Sequence, residues 1–225
     1  MSVEIYVAGS SKDKFLELDN IRKKYLVDEH HDGVNIDSLN PWFCELTAFY
    51  HLVQNSKAHI IGLEHYRNYF YTDRLLNEDE ILSDLWDHQI ICSEAKTNKK
   101  LGEELYILTQ GYSIPMLHLI GFKDPRFHAF LNEYLNREKF YWCNCFIGHR
   151  HVLKVWFDYF FSLINSYEDV YPVEKSPLRR EGFFAEYLFG AWLEYRGYKI
   201  AHRPMTKFTK DLTGIERLSE GTKTT

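Results

Sequence analysis

The chain has 225 residues, long enough for one domain with a substantial core, and its 45% hydrophobic and 26% charged residues are ordinary for a globular protein. A formal net charge of −5 with no long basic run excludes the electrostatic footprint of a nucleic-acid binder, and no apolar run approaches the ~18 residues of a membrane span. The N-terminus lacks a signal-peptide pattern and the four cysteines (Cys44, Cys92, Cys143 and Cys145) are scattered, so the expectation is a cytoplasmic protein with reduced thiols.

Residues 3–8, Val-Glu-Ile-Tyr-Val-Ala, read as a buried first strand closed by the turn Gly9-Ser10-Ser11. In α/β folds such a loop is a common nucleotide site, although no Gly-rich fingerprint follows. Residues 19–35 are polar and irregular. Asn40 as cap and Pro41 at the first position predict a helix carrying Trp42, Leu46, Phe49, Tyr50 and Val53 on one face. A strand at 59–63 runs into Glu64-His65-Tyr66-Arg67. A helix at 78–86 capped by Asn77, a strand at 89–92 and a helical stretch over 100–120 follow. Asp124-Pro125 opens another helix, 140–147 is strand-like, and amphipathic helices cover about 149–165 and 179–195. A last strand spans 198–202. Alternating strands and helices predict a mostly parallel central sheet with helices on both faces and a ligand beyond the carboxyl ends of the strands. The domain is expected over 1–205, with a polar tail at 206–225.

Three constellations could carry chemistry. Glu64, His65 and Arg67 stand at the predicted end of a strand, where Arg can hold a diphosphate and the other two could act as acid and base or hold a cation. A charged surface turn is the alternative. Asn35, Asn40, Glu45 and Thr47 cluster around a helix start, which favours anions or simply caps itself. Arg179 and Glu186 flank Gly182 on a helix, where Glu186 reads as a general base or a surface glutamate. The set Cys143, Cys145, His149 and His151 contains possible zinc ligands, but its spacing is too tight for a usual structural site, and the cysteines read better as core thiols. Aromatics, 16% of the chain, could stack on sugar rings or fill the core. No P-loop, Gly-x-Ser-x-Gly elbow or Asp-x-Asp pair occurs.

The runs Asn35-Ile36-Asp37 through Asn40-Pro41-Trp42-Phe43-Cys44-Glu45-Leu46-Thr47, and Gly62-Leu63-Glu64-His65-Tyr66-Arg67-Asn68-Tyr69-Phe70, together resemble a family of bacterial capsular and exopolysaccharide glycosyltransferase-like proteins, first catalogued as a domain of unknown function. The likeness extends to Asn144-Cys145-Phe146-Ile147 and to Arg179…Gly182-Phe183…Ala185-Glu186, and covers roughly residues 3–195. It implies a GT-A-like single Rossmann-type domain that moves a hexose, galactofuranose among the candidates, from a nucleotide-sugar donor to a glycan or lipid-linked glycan acceptor. The location implied is the cytoplasm, with contact at the inner membrane face an option. Carried over, His65 and Arg67 meet the donor diphosphate, with or without Mn or Mg. Gly9, Ser10, Asn35, Asn40, Glu45, Thr47, Tyr66, Asn144 and Arg179 line the donor side, and Glu186 is the base. A non-catalytic glycan- or nucleotide-binding module is the alternative. Three positions depart from the family pattern: Asn68 replaces an Arg, Ala8-Gly9-Ser10-Ser11 replaces a His-Lys loop, and Gly148 stands where Met is common.

Overall fold

The computed structural model describes residues 1–172 and 175–218, the side chains of Trp142, Cys143, Arg217 and Leu218 excepted. Its strands are β1 (Val3–Gly9), β2 (Arg22–Leu26), β3 (Ile60–His65), β4 (Asn68–Phe70), β5 (Ile90–Lys96), β6 (Lys139–His149), β7 (Ile200–His202), β8 (Met205–Phe208) and β9 (Ile215–Leu218). Its helices are α1 (Asn40–Phe43), α2 (Leu46–Asn55), α3 (Glu78–Asp87), α4 (Leu101–Leu108), α5 (Ser113–Lys123), α6 (Pro125–Leu135), α7 (Arg150–Glu168) and α8 (Arg180–Tyr195).

The local rules that place these elements are visible in the bonds. Asn77 and Glu80 form a reciprocal capping box at the start of α3. Asp124 accepts from the Phe127 N–H at 3.0 Å, and Pro125 opens α6. Gly197, with φ +69°, follows the end of α8. The helix expected from Asn40 is interrupted instead. Cys44 takes φ 52°, so the chain turns between α1 and α2, and the Asn40 side chain caps nothing. Residues 22–26, expected to be irregular, form the edge strand β2 beside β1, with Arg22 and Tyr25 buried and Lys23 and Lys24 exposed.

All nine strands join one sheet, with β1 and β6 on the two edges of β3. The pairs β1–β2, β1–β3 and β5–β7 are parallel. The pairs β3–β4, β3–β6, β4–β8, β5–β6 and β8–β9 are antiparallel. The expected mostly parallel Rossmann-type sheet is therefore corrected to a mixed sheet whose pairings are mostly antiparallel. Two features cause this. β6 enters reversed between β3 and β5, and the ribbon of β4, β8 and β9 adds antiparallel pairings. Alternation of strands and helices along a chain does not encode the direction of an inserted strand. The boundary expected at 205/206 falls inside β8, and residues 206–208 and 215–218 pair into the sheet. Residues 219–225 of the expected tail lie outside the described residues.

β3 is buried along nearly its whole length, and α2, α7 and α8 pack near it on β1, β3 and β6. Many of the aromatics fill this core. Trp156 on α7 meets Phe160, Phe189 and Trp192 with ring centroids 5.2, 5.3 and 5.4 Å away, distances at which such pairs add to simple area burial. A second small cluster, Val7, Tyr69 and Phe208, gathers Phe15, Leu16 and Leu212 around it.

Candidate functional site

β1 and β3 run side by side with Ala8 opposite His65, so the loops that follow them open at one edge of the sheet. The Tyr66 N–H donates to the Ala8 carbonyl at 2.8 Å and locks the two exits together. Gly9 is needed there, because a Cβ would stand 2.8 Å from both Phe15 Cζ and Tyr66 Cβ. Between these exits lies a cavity of about 440 Å³. Gly9, Ser10 and Asp13 line it from the first loop, Asn40, Cys44 and Glu45 from α1 and its exit, and His65, Tyr66 and Arg67 from the turn after β3. Arg179, just before α8, and Lys210, between β8 and β9, complete it.

The lining has a definite chemistry. Arg67, Arg179 and Lys210 bring positive charge, and Asp13 and Glu45 bring negative charge. Asp13 is engaged, since its Oδ2 accepts from the Ser10 N–H at 2.7 Å and the Ser10 hydroxyl at 2.8 Å. Three buried atoms of the lining residues have no hydrogen-bond partner among the described residues: Asn40 Oδ1, His65 Nδ1 and Arg67 Nε. Buried polar atoms are almost always satisfied, so three orphans around one cavity mark groups that wait for a ligand or ordered water. Burial chiefly, with Arg67 and Arg179 adding to it against Glu45 and Asp13, holds the His65 imidazole below its usual value. It is therefore neutral at pH 7 and can offer one ring N–H and one acceptor.

Glu45 is held by design of the backbone. Asn144 Nδ2 donates to Glu45 Oε1 and to the Gly182 carbonyl, each at 3.0 Å. Cys44, Asn144 and Arg179 have φ of 52°, 47° and 67°, and all three stand around this carboxylate. Non-glycine residues in the left-handed region cluster where surroundings over-determine them, often at functional sites. The Arg179 N–H donates to the Pro41 carbonyl at 3.0 Å, which seats the start of α8 on α1. Burial, with the charge of Glu45, pushes the Cys44 thiol up to about 12, so it stays protonated while it bonds to Arg179.

Eight of the twelve residues singled out in the sequence therefore converge on the cavity: Gly9, Ser10, Asn40, Glu45, His65, Tyr66, Arg67 and Arg179. Asn144 reaches it through Glu45. Three others stand apart from the lining. Thr47 is buried and donates to the Cys44 carbonyl at 2.9 Å, so it stabilises the turn into α2. Asn35 donates to the His31 and Gly33 carbonyls. Glu186 is half-buried one turn beyond Gly182, where its charge acts on Arg179. Glu64 is structural: fully buried, it binds Arg22 through both oxygens and accepts from the Phe70 N–H.

The departures Asn68 and Gly148 also lie off the lining. Asn68 is buried in β4, and Gly148 sits in β6, where a Cβ would press within 3.0 Å of the Gln89 carbonyl. Of the zinc candidates, Cys145 is buried, His149 bonds to the Leu85 carbonyl, and the Cys143 side chain lies outside the described residues. Among the described residues no three His, Cys, Asp or Glu side chains stand together to hold a metal ion. Sequence reasoning missed Asp13 and Lys210. Both sit in polar loops with no motif around them, and Lys210 comes from the stretch read as a tail.

An α/β domain with a charged, partly unsatisfied cavity where β1 and β3 end is the class of protein these features define. The chain belongs to the family described as a domain of unknown function, DUF4422, which matches residues 3–197. Among solved structures it is similar in fold to the apo structure of WbbM, a bifunctional glycosyltransferase, with a TM-score of 0.75 at 19% identity. The match covers 96% of this chain and 46% of that one, so this chain spans about half the length of that protein. No curated protein matches the chain. No helix among the described residues is long and apolar enough to cross a membrane.

Proposed function

We propose that this protein is a glycosyltransferase, moving a hexose from a nucleotide-sugar donor to a glycan acceptor in surface polysaccharide synthesis. The observation that carries the reading is the cavity: three cations and three unsatisfied polar atoms gathered where β1 and β3 end. The likeness in fold to a glycosyltransferase supports it. Arg67 and Arg179 would hold the donor diphosphate through charge-assisted bonds, and Asn40 and neutral His65 would turn their free atoms to the same group. Glu45 opens into the cavity, and Glu186 does not line it. We therefore place the base that would take the acceptor proton, in an inverting transfer, at Glu45, with Glu186 steadying Arg179 by charge. Galactofuranose is one donor sugar compatible with the family resemblance.

The test offers the purified protein a panel of nucleotide sugars with glycan acceptors, and follows both release of nucleoside diphosphate and gain in acceptor mass. Transfer with one donor is expected. Arg67→Ala should lower turnover about 100-fold or more, as loss of a transition-state donor does elsewhere. Unchanged turnover in that variant removes Arg67 from the chemistry. Binding without consumption of any donor makes the protein a non-catalytic binding module.

A further inference from the structure

The family match ends at residue 197, yet part of the cavity is built by residues beyond it. We infer that the β8–β9 hairpin supplies Lys210 as a third diphosphate-binding cation, completing a site that the family-defining region leaves open on one side. This rests on the nucleotide-sugar reading above.

Four observations place Lys210 there. It lines the cavity together with Arg67 and Arg179. Among the described residues it forms no ion pair; its charge acts on Glu216 without a bond to it, and Asp13 lines the same cavity. Its turn is built to hold it. The Thr209 hydroxyl donates to Asp211 Oδ1 at 2.7 Å, and the Thr209 N–H donates to the Gly214 carbonyl at 2.9 Å. The Gly214 N–H in turn donates to Thr209 Oγ1 at 3.1 Å. Leu212, at φ 62°, packs onto the cluster of Val7, Tyr69 and Phe208, which also takes Phe15 and Leu16 from the loop carrying Asp13. One small apolar cluster thus ties together the two lips of the cavity.

The hairpin also sets Arg67. The Phe208 N–H donates to the Arg67 carbonyl at 2.7 Å, and Glu216, itself paired with Lys207 at 3.0 Å, bonds Arg67 Nη1 at 3.4 Å. A single long contact on a half-open carboxylate is easily exchanged for a phosphate, because such exposed pairs are weak. A bound diphosphate would then meet Arg67, Arg179 and Lys210 from three separate elements of the chain. A compact ammonium suits a terminal phosphate, where bidentate geometry is not required.

The experiment is calorimetric titration of the full chain, its Lys210→Ala variant and its Lys210→Arg variant with a panel of free nucleoside diphosphates. Lys23→Ala, an exposed lysine away from the cavity, is the control, and circular dichroism checks each fold. The nucleoside diphosphate that the unaltered protein binds should bind Lys210→Ala roughly 10- to 100-fold more weakly, the scale of a lost charge-assisted bond. Lys210→Arg should keep most of the affinity, and the salt dependence should be shallower in Lys210→Ala. Equal affinity in a folded Lys210→Ala overturns the role of Lys210 and leaves the nucleotide site standing. No binding by the unaltered protein overturns both.

Discussion

Glu64 stands next to His65 in the chain, yet the structure assigns it to the core, and the two roles have opposite consequences on mutation. Its Oε2 accepts from Arg22 Nε at 2.7 Å, and its Oε1 accepts from Arg22 Nη2 at 3.3 Å and from the Phe70 N–H at 3.0 Å. Both charged side chains are 0% exposed. Glu64→Ala would leave a guanidinium in the interior with only Asp19 at 2.6 Å and the Leu76 carbonyl at 3.0 Å, and would orphan a strand N–H. Breaking a buried pair in this way costs about 3–5 kcal/mol. That is a large part of the 5–15 kcal/mol by which domains are usually stable, so Tm should fall by roughly 6–20 °C. Replacing both partners, Arg22→Met with Glu64→Leu, should recover part of the loss, because the guanidinium is no longer stranded, although Asp19 loses its cation and the Phe70 N–H stays unpaired. Urea unfolding followed by circular dichroism measures each value. A loss below ~1 kcal/mol for Glu64→Ala would refute the structural role, given what an unpaired buried charge costs. Normal stability with lost nucleotide affinity would place Glu64 in the site.

Two further outcomes follow from the same structure. At Gly190 a new Cβ would strike the Tyr134 hydroxyl and come within 2.6 Å of Tyr141, whereas at Gly182 it would meet Cys44 and Phe43 at an ordinary 3.5 Å. Gly190→Ala should therefore cost about 1–3 kcal/mol in urea unfolding, and Gly182→Ala less than about 1 kcal/mol. Because burial holds the His65 pKa below its usual 6.5, the unfolded chain takes up a proton on acidification before the folded chain does. The contribution of His65 to stability is then complete above pH 6.5 and declines as pH falls through the folded value. NMR titration of the ring should give a midpoint below 6.5 that rises when a nucleoside diphosphate binds, and a midpoint above 6.5 in the free protein contradicts the reading.

Much of the site was legible in the chain because two dense stretches, 35–47 and 62–70, carry Asn40, Glu45, His65, Tyr66 and Arg67, and parallel pairing of β1 with β3 brings the Gly9 loop and His65 to one edge. Helix starts were legible where caps are local, at Asn77 and Asp124. What could not be read depends on distant partners. Asn40 has the residue type of a cap, but Leu39 holds the cap position, Asn40 is the first helical residue of α1, and it lines the cavity instead. The reversal of β6 is set by its pairing with β3 and β5, and periodicity is blind to strand direction. Glu64 and Thr47 look alike in sequence to Glu45, and only burial and bonding separate support from site. Lys210 and Asp13 are brought to the cavity by packing of Leu212 and Phe15 on a shared apolar cluster, a contact spanning the whole chain.

The most direct measurement is the thermal stability of the purified protein against nucleoside diphosphates and nucleotide sugars, with and without manganese, alongside Arg67→Ala. At 100 times its dissociation constant a ligand adds about 2.7 kcal/mol, which for a chain this size raises Tm by roughly 5–10 °C. A rise of that order with one nucleotide, and none with Arg67→Ala, is the expected result. A well-folded protein whose Tm is unmoved by every nucleotide in the panel would contradict the assignment of the cavity.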